Sequence, residues 1–177
     1  MEDIKEKISD NQYIFLKNLQ DYIGNELIFF GSIKRCDFMS ENSDIDIAII
    51  SDNINSTLKK LQNYLNLQDN NIRKFVQKIP NKNSIIIGYK TNYDDECIKL
   101  SLEIVIYDEK YRNDIMFHIH KINNLPFYIL LPLIILKFFY YKLNIISTQI
   151  LYFFKRKLLH KYLQQELDEN LITLKVV

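Results

Sequence analysis

Apolar side chains in the first stretch of the chain, Ile4, Ile8, Tyr13, Ile14, Leu16, Leu19 and Ile23, recur at steps of three and four. That spacing predicts an amphipathic helix over 2–22, with Gly24 as its stop. A short apolar run, Leu27 to Phe30, reads as a strand broken by Gly31-Ser32. Over 44–50 acid alternates with isoleucine and then gives way to a wholly apolar end, the pattern of a strand buried at its far end. Leu58, Leu61, Tyr64 and Leu65 predict a second amphipathic helix over 54–67. Three further strands are expected at 75–79, 84–90 and 99–107, the last two antiparallel and joined by a polar connection over 91–96. From Pro126 onward long apolar runs at helical spacing predict two helices, parted near 144–147. The fold class is therefore α/β (α+β): a mixed β-sheet with helices on one side over 1–112, followed by a helical C-terminal segment over 113–177.

Composition narrows this picture only slightly. At 177 residues the chain has the size of one domain, and 23 basic against 22 acidic residues leave no global charge to draw it to nucleic acid or membrane. Cys36 and Cys97 are far apart, with neither a CxxC pair nor a histidine at ligand spacing, and Met1 leads into acidic residues instead of a signal sequence. A reduced cytoplasmic protein is expected. The 29 Ile and 18 Asn against a single Ala suit an AT-rich coding sequence, so those residue types carry little information at neutral positions.

Candidate chemistry concentrates in one segment, Phe29-Phe30-Gly31-Ser32, then eleven residues, then Asp44-Ile45-Asp46-Ile47. On an extended strand Asp44 and Asp46 share a face while Ile45, Ile47 and Ile49 point the other way. Two carboxylates side by side repel, and a cation is the natural compensation. Oxygen ligands favour Mg2+, which takes one or two carboxylates and completes its shell with water and substrate phosphate. A Gly-Ser turn after a strand offers backbone N–H groups and a hydroxyl to phosphate oxygens.

These residues resemble the signature of the DNA polymerase beta-like nucleotidyltransferases, in particular their small single-domain (minimal) members. The matching positions are Gly31, Ser32, Arg35 and Ser43-Asp44-Ile45-Asp46, within 26–50. The resemblance implies the nucleotidyltransferase fold and transfer of a nucleoside monophosphate from an NTP to an acceptor hydroxyl, with release of pyrophosphate. It implies a two-metal mechanism, with two Mg2+ or Mn2+ ions held by Asp44, Asp46 and a third carboxylate from a later strand. Glu103, between Leu102 and Ile104, is the best match for the third, with Asp108 and Glu109 as fallbacks. The sequence departs from the commoner family pattern in having Glu there and Cys36 where small members often have Gly. Ser32 and the Gly31 amide would hold the triphosphate, with Arg35 and Ser43 nearby.

No acidic residue lies between Asp114 and Glu166, whereas Lys121, Lys137, Lys142, Lys155, Arg156, Lys157 and Lys161 do. In the resembled family a basic residue from the helical part often faces the triphosphate, a role open to Lys137 or Lys142. The 155–157 cluster suits either a nucleic-acid backbone or a solvated face. The apolar run 125–141 is interrupted by Pro126, Pro132 and Lys137 and falls short of the ~20 residues a bilayer requires, so no stable membrane span is expected. Its aromatic residues suggest a protein partner or a homodimer surface. His118 and His120 sit at strand spacing without a third ligand nearby. The acceptor is open among RNA, a protein hydroxyl and a small molecule. A noncatalytic nucleotide-binding or protein-interaction module that keeps the fold is the alternative reading.

Overall fold

Ser9 decides where the first long helix begins. In this computed structural model, which describes residues 1–40, 43–78, 85–163 and 174–175, the Ser9 hydroxyl accepts from the Gln12 N–H while the Gln12 side chain accepts from the Ser9 N–H. This reciprocal cap splits the helix expected over 2–22 into a 3-10 segment, Glu2–Lys7, and helix α1, Asp10–Ile23. Gly24, left-handed at φ 76°, ends α1 as the sequence predicts.

The strands are β1 (Ile28–Phe30), β2 (Ile45–Ser51), β3 (Arg73–Lys78), β4 (Ile85–Asp95), β5 (Leu100–Asp108) and the two-residue β6 (Leu174–Lys175). They form one mixed sheet in the order β1-β2-β5-β4-β3-β6, in which β2 and β5 run parallel and the other pairs antiparallel. Ile79 and Ser84, expected at strand ends, lie outside the described residues. The polar stretch 91–96 is not the connection it was expected to be. Strand β4 continues to Asp95 because Thr91 and Tyr93 turn toward the core opposite Ile104 and Leu102, leaving Asn92 and Asp94 on the other face. The reversal comes later, at Lys99 in the left-handed region, and the Gln12 amide holds it by donating to the Ile98 and Lys99 carbonyls.

Alternation along the strands sorts the core into two layers. Ile45, Ile47 and Ile49 of β2 and Leu100, Leu102, Ile104 and Ile106 of β5 face α1 and helix α2 (Ile54–Leu65), meeting Leu16, Leu19, Ile23, Leu61 and Leu65. On the opposite face Ala48, Ile50 and Ile86 meet Ile115 and Ile119 of helix α3, Arg112–Asn123. His118 and His120 therefore lie on a helix and not at strand spacing. Helices α4 (Phe127–Tyr141) and α5 (Thr148–Leu163) pair through Ile129 and Leu133 with Leu158 and Leu159. They leave Phe127, Tyr128, Phe153 and Phe154 exposed. Among the described residues no single helix is long and apolar enough to cross a membrane.

Candidate active site

The face of the sheet that Asp46 occupies is set by register. Asp46 lies opposite Phe30 of β1 on one side and Glu103 of β5 on the other. The chain leaves β1 at Phe30, so Gly31 falls directly against the Asp46 carboxylate. Gly31 has φ +74°, and a Cβ there would come within 2.1 Å of Asp46 Oδ2. Only glycine meets both demands, the left-handed backbone and the close approach. Residues Gly31–Lys34 then form a single 3-10 turn in which Ser32 is buried and its carbonyl accepts from the Arg35 N–H.

Glu103 is brought beside Asp46 on a neighbouring strand, with Asp44 directly before the first residue of β2 and exposed. Burial, then the charges of Glu103 and Asp44, push the Asp46 carboxyl up to about 7, against the opposing pull of Lys155 and Arg35. The structure leaves Asp108 at the strand end, where it caps the next turn through the Lys110 N–H and pairs with the Lys110 ammonium at 3.1 Å. Ser43 accepts a hydrogen bond from the Met39 N–H and is half-buried.

Three of the expected nucleotide ligands are otherwise engaged. The Gly31 N–H donates to Asn123 Oδ1 at 3.0 Å, so α3 takes the amide that was expected to meet phosphate. Arg35 makes a forked pair with the Asp37 carboxylate, at 2.8 and 3.1 Å, and also donates to the Ile122 carbonyl. Lys137 reaches the same carboxylate at 3.0 Å and the Asp37 carbonyl at 2.8 Å. All three side chains are buried, Asp37 completely. Burial opposes ionisation of Asp37, but the hydrogen bonds and charges of Arg35 and Lys137 prevail and hold its carboxyl below the usual range. Lys137 moves down as well, since burial and the neighbouring Lys155 and Arg35 outweigh its pairing with an anion shared by two cations. Lys142 is exposed at the C-terminal end of α4. The side chain of Lys161 lies outside the described residues.

Sequence reasoning missed Asp37, Lys90 and Asn123. Lys155 lies within electrostatic reach of both Asp46 and Lys137. Burial, then the charge of Asp44, raises the Tyr141 and Tyr152 hydroxyls. Asp37 had a local signal, an acid two positions after Arg35. Asn123 and Lys90 had none, because only the fold brings them to Gly31 and Glu103.

The family model described as a nucleotidyltransferase domain matches residues 13–126, which takes in the Gly31-Ser32 turn, the paired aspartates and Glu103. The chain belongs to the nucleotidyltransferase domain family. No curated protein matches this chain. Among solved structures it is similar to one titled "structure of GLD-2/RNP-8 complex", at 16% identity and a TM-score of 0.35, over 84% of this chain and 56% of that one. This chain thus spans little more than half the length of that one.

The donor set divides when tested against the divalent ions the family resemblance implies. Asp44 and Asp46, with a carboxyl strained by neighbouring negative charge, fit one Mg2+ or Mn2+ completed by water and phosphate. A second ion does not fit equally well. Glu103 is paired with Lys90 at 2.7 Å, and among the described residues no three His, Cys, Asp or Glu side chains converge as a cage.

Proposed function

We propose that this chain transfers a nucleoside monophosphate from an NTP to an acceptor hydroxyl, releasing pyrophosphate, in a reaction that requires a divalent cation. The observation that carries this reading is the Asp46 carboxylate pressed onto the Gly31 backbone, with Glu103 beside it on the neighbouring strand and Asp44 directly before β2. Membership of the nucleotidyltransferase domain family supports it.

Asp44 and Asp46 would hold Mg2+, which when bound neutralises charge on the phosphate oxygens and orients them. The remaining chemistry belongs to the chain. The acceptor oxygen forms its bond to the α-phosphorus as the bond to the bridging oxygen breaks, the pyrophosphate leaves with that bond's electron pair, and the acceptor proton passes to solvent or a nearby carboxylate. Gly31 fixes where Asp46 stands, and the buried Ser32 lies in the turn expected to meet the triphosphate. Lys155 replaces Lys137 and Lys142 as the cation proposed to face the phosphates, because it acts on Asp46 while Lys137 is spent on Asp37. Catalysis of this type rests on positioning and charge.

The test is pyrophosphate release by purified full-length chain with Mg2+, each NTP in turn and fractionated cell extract as the source of acceptor. Release that depends on one fraction supports transfer and isolates the acceptor. Saturable NTP binding with no release from any fraction would favour the noncatalytic module instead.

A further inference from the structure

Lys90 has no part in the chemistry above, yet it makes the one ion pair at the carboxylate cluster among the described residues. It sits on β4, two residue pairs along the ladder from Glu103: Lys90 lies opposite Val105, and Asn92 lies opposite Glu103. Lys90, Val105 and Glu103 share the sheet face that carries Asp46. From there its ammonium reaches Glu103 Oε1 at 2.7 Å, with both side chains only partly exposed. Glu103 is thus already paired with a cation, which leaves Asp46 and the adjoining Asp44 as the carboxylates that would hold a divalent ion.

We infer that Lys90 occupies the place of a second cation in this site, so that the nucleotidyltransferase binds a single divalent ion at Asp44 and Asp46. This inference rests on the nucleotidyltransferase reading of the aspartate pair. The physical reason is competition for one anion. A charge-assisted pair at 2.7 Å satisfies the Glu103 oxygen that a second ion would need, and an ion arriving beside it would meet a fixed positive charge at close range. The Lys90 charge is tethered by a strand in the middle of the sheet, so it is present at every stage of binding without a concentration requirement. Lys90 acts here as a positioning residue that holds Glu103 away from metal.

Mn2+ binding to the full-length chain tests this without any assay of transfer. In paired sites metal ions stand about 3.5–4 Å apart, close enough to couple their electron spins, whereas a lone Mn2+ gives an isolated signal. With Mn2+ and a non-hydrolysable ATP or GTP analogue, wild type should bind one ion per chain, beyond that carried by free nucleotide, with an uncoupled spectrum. Lys90→Met should admit a second ion and give a coupled spectrum, lost again in Lys90→Met combined with Glu103→Gln. Lys90→Arg, which keeps the charge, should remain at one ion. Two coupled ions in wild type, or one ion in Lys90→Met, would overturn the inference and leave the transferase reading standing. Mn2+ binding that Asp44→Asn and Asp46→Asn both leave unchanged would instead remove the site on which both rest.

Discussion

Two residues carry most of the local geometry, Asp46 and Gly31. Because the folded protein raises the Asp46 carboxyl to about 7 from its ordinary value of 3.8, folding takes up a proton between those values. Stability of the metal-free protein therefore falls as pH rises through that window, and the loss is complete above about pH 7. Asp46→Asn removes the titration. Its melting temperature should exceed that of wild type at pH 8 and the gap should close toward pH 4.5; a gap that stays constant with pH would show that Asp46 is not held neutral. Gly31→Ala places a methyl group 2.1 Å from Asp46 Oδ2 on a backbone of φ +74°. The left-handed backbone alone costs about 1–2 kcal/mol, and the displaced carboxylate should weaken Mn2+ binding by more than the loss of stability accounts for. Urea unfolding and Mn2+ titration of the same variant separate the two effects.

Among the elements, the 3-10 turn after β1 and helix α4 are tied by the Arg35–Asp37–Lys137 network. Asp37→Ala leaves two cations buried without their shared anion, and breaking such a pair costs roughly 3–5 kcal/mol. Lys137→Met should cost less, because Arg35 still neutralises Asp37. Protease should cut Asp37→Ala faster than wild type in the 142–147 connection between α4 and α5, where an unaltered rate would mean the network does not hold the helices down. Most of these elements were legible in the sequence. Period-two alternation located β2 and β5, and three-four spacing located α2, α4 and α5, because each element buries one face against a single layer. The errors came where a local device overrode periodicity. Ser9 and Gln12 cap a helix in the middle of an apolar series, and a polar stretch stays in strand β4 because every second residue still reaches the core. Asp44, Asp46 and Gly31 were readable because the chemistry is local in sequence. The engagement of Arg35 and Lys137 with Asp37 was not, since Lys137 stands one hundred residues from Asp37.

At the scale of the whole molecule, the carboxylates of the sheet belong to one part of the chain, and the helical part that follows has no acidic residue between Asp114 and Glu166. Across that asymmetry the charge of Lys155 pulls the Asp46 carboxyl down, against burial and the charge of Glu103. Lys155→Met should weaken NTP binding roughly five- to tenfold, the scale of one charged hydrogen bond partly exposed to water. Lys142→Met, a change at an exposed position at the end of α4, should leave that affinity unchanged, and calorimetry with Mg2+ present compares the two. The same asymmetry explains why overall charge was uninformative: the two halves cancel to +1. The most direct test of the central claim follows one phosphorus atom. Full-length protein is incubated with Mg2+, the acceptor fraction and NTP labelled either at the α- or at the γ-phosphorus. Nucleotidyl transfer predicts that the acceptor gains label from the α position and none from the γ position, and that Asp44→Asn and Asp46→Asn lower this gain by roughly a hundredfold or more while remaining folded. Label arriving from the γ position, or α-label transferred equally well by both variants, would contradict it.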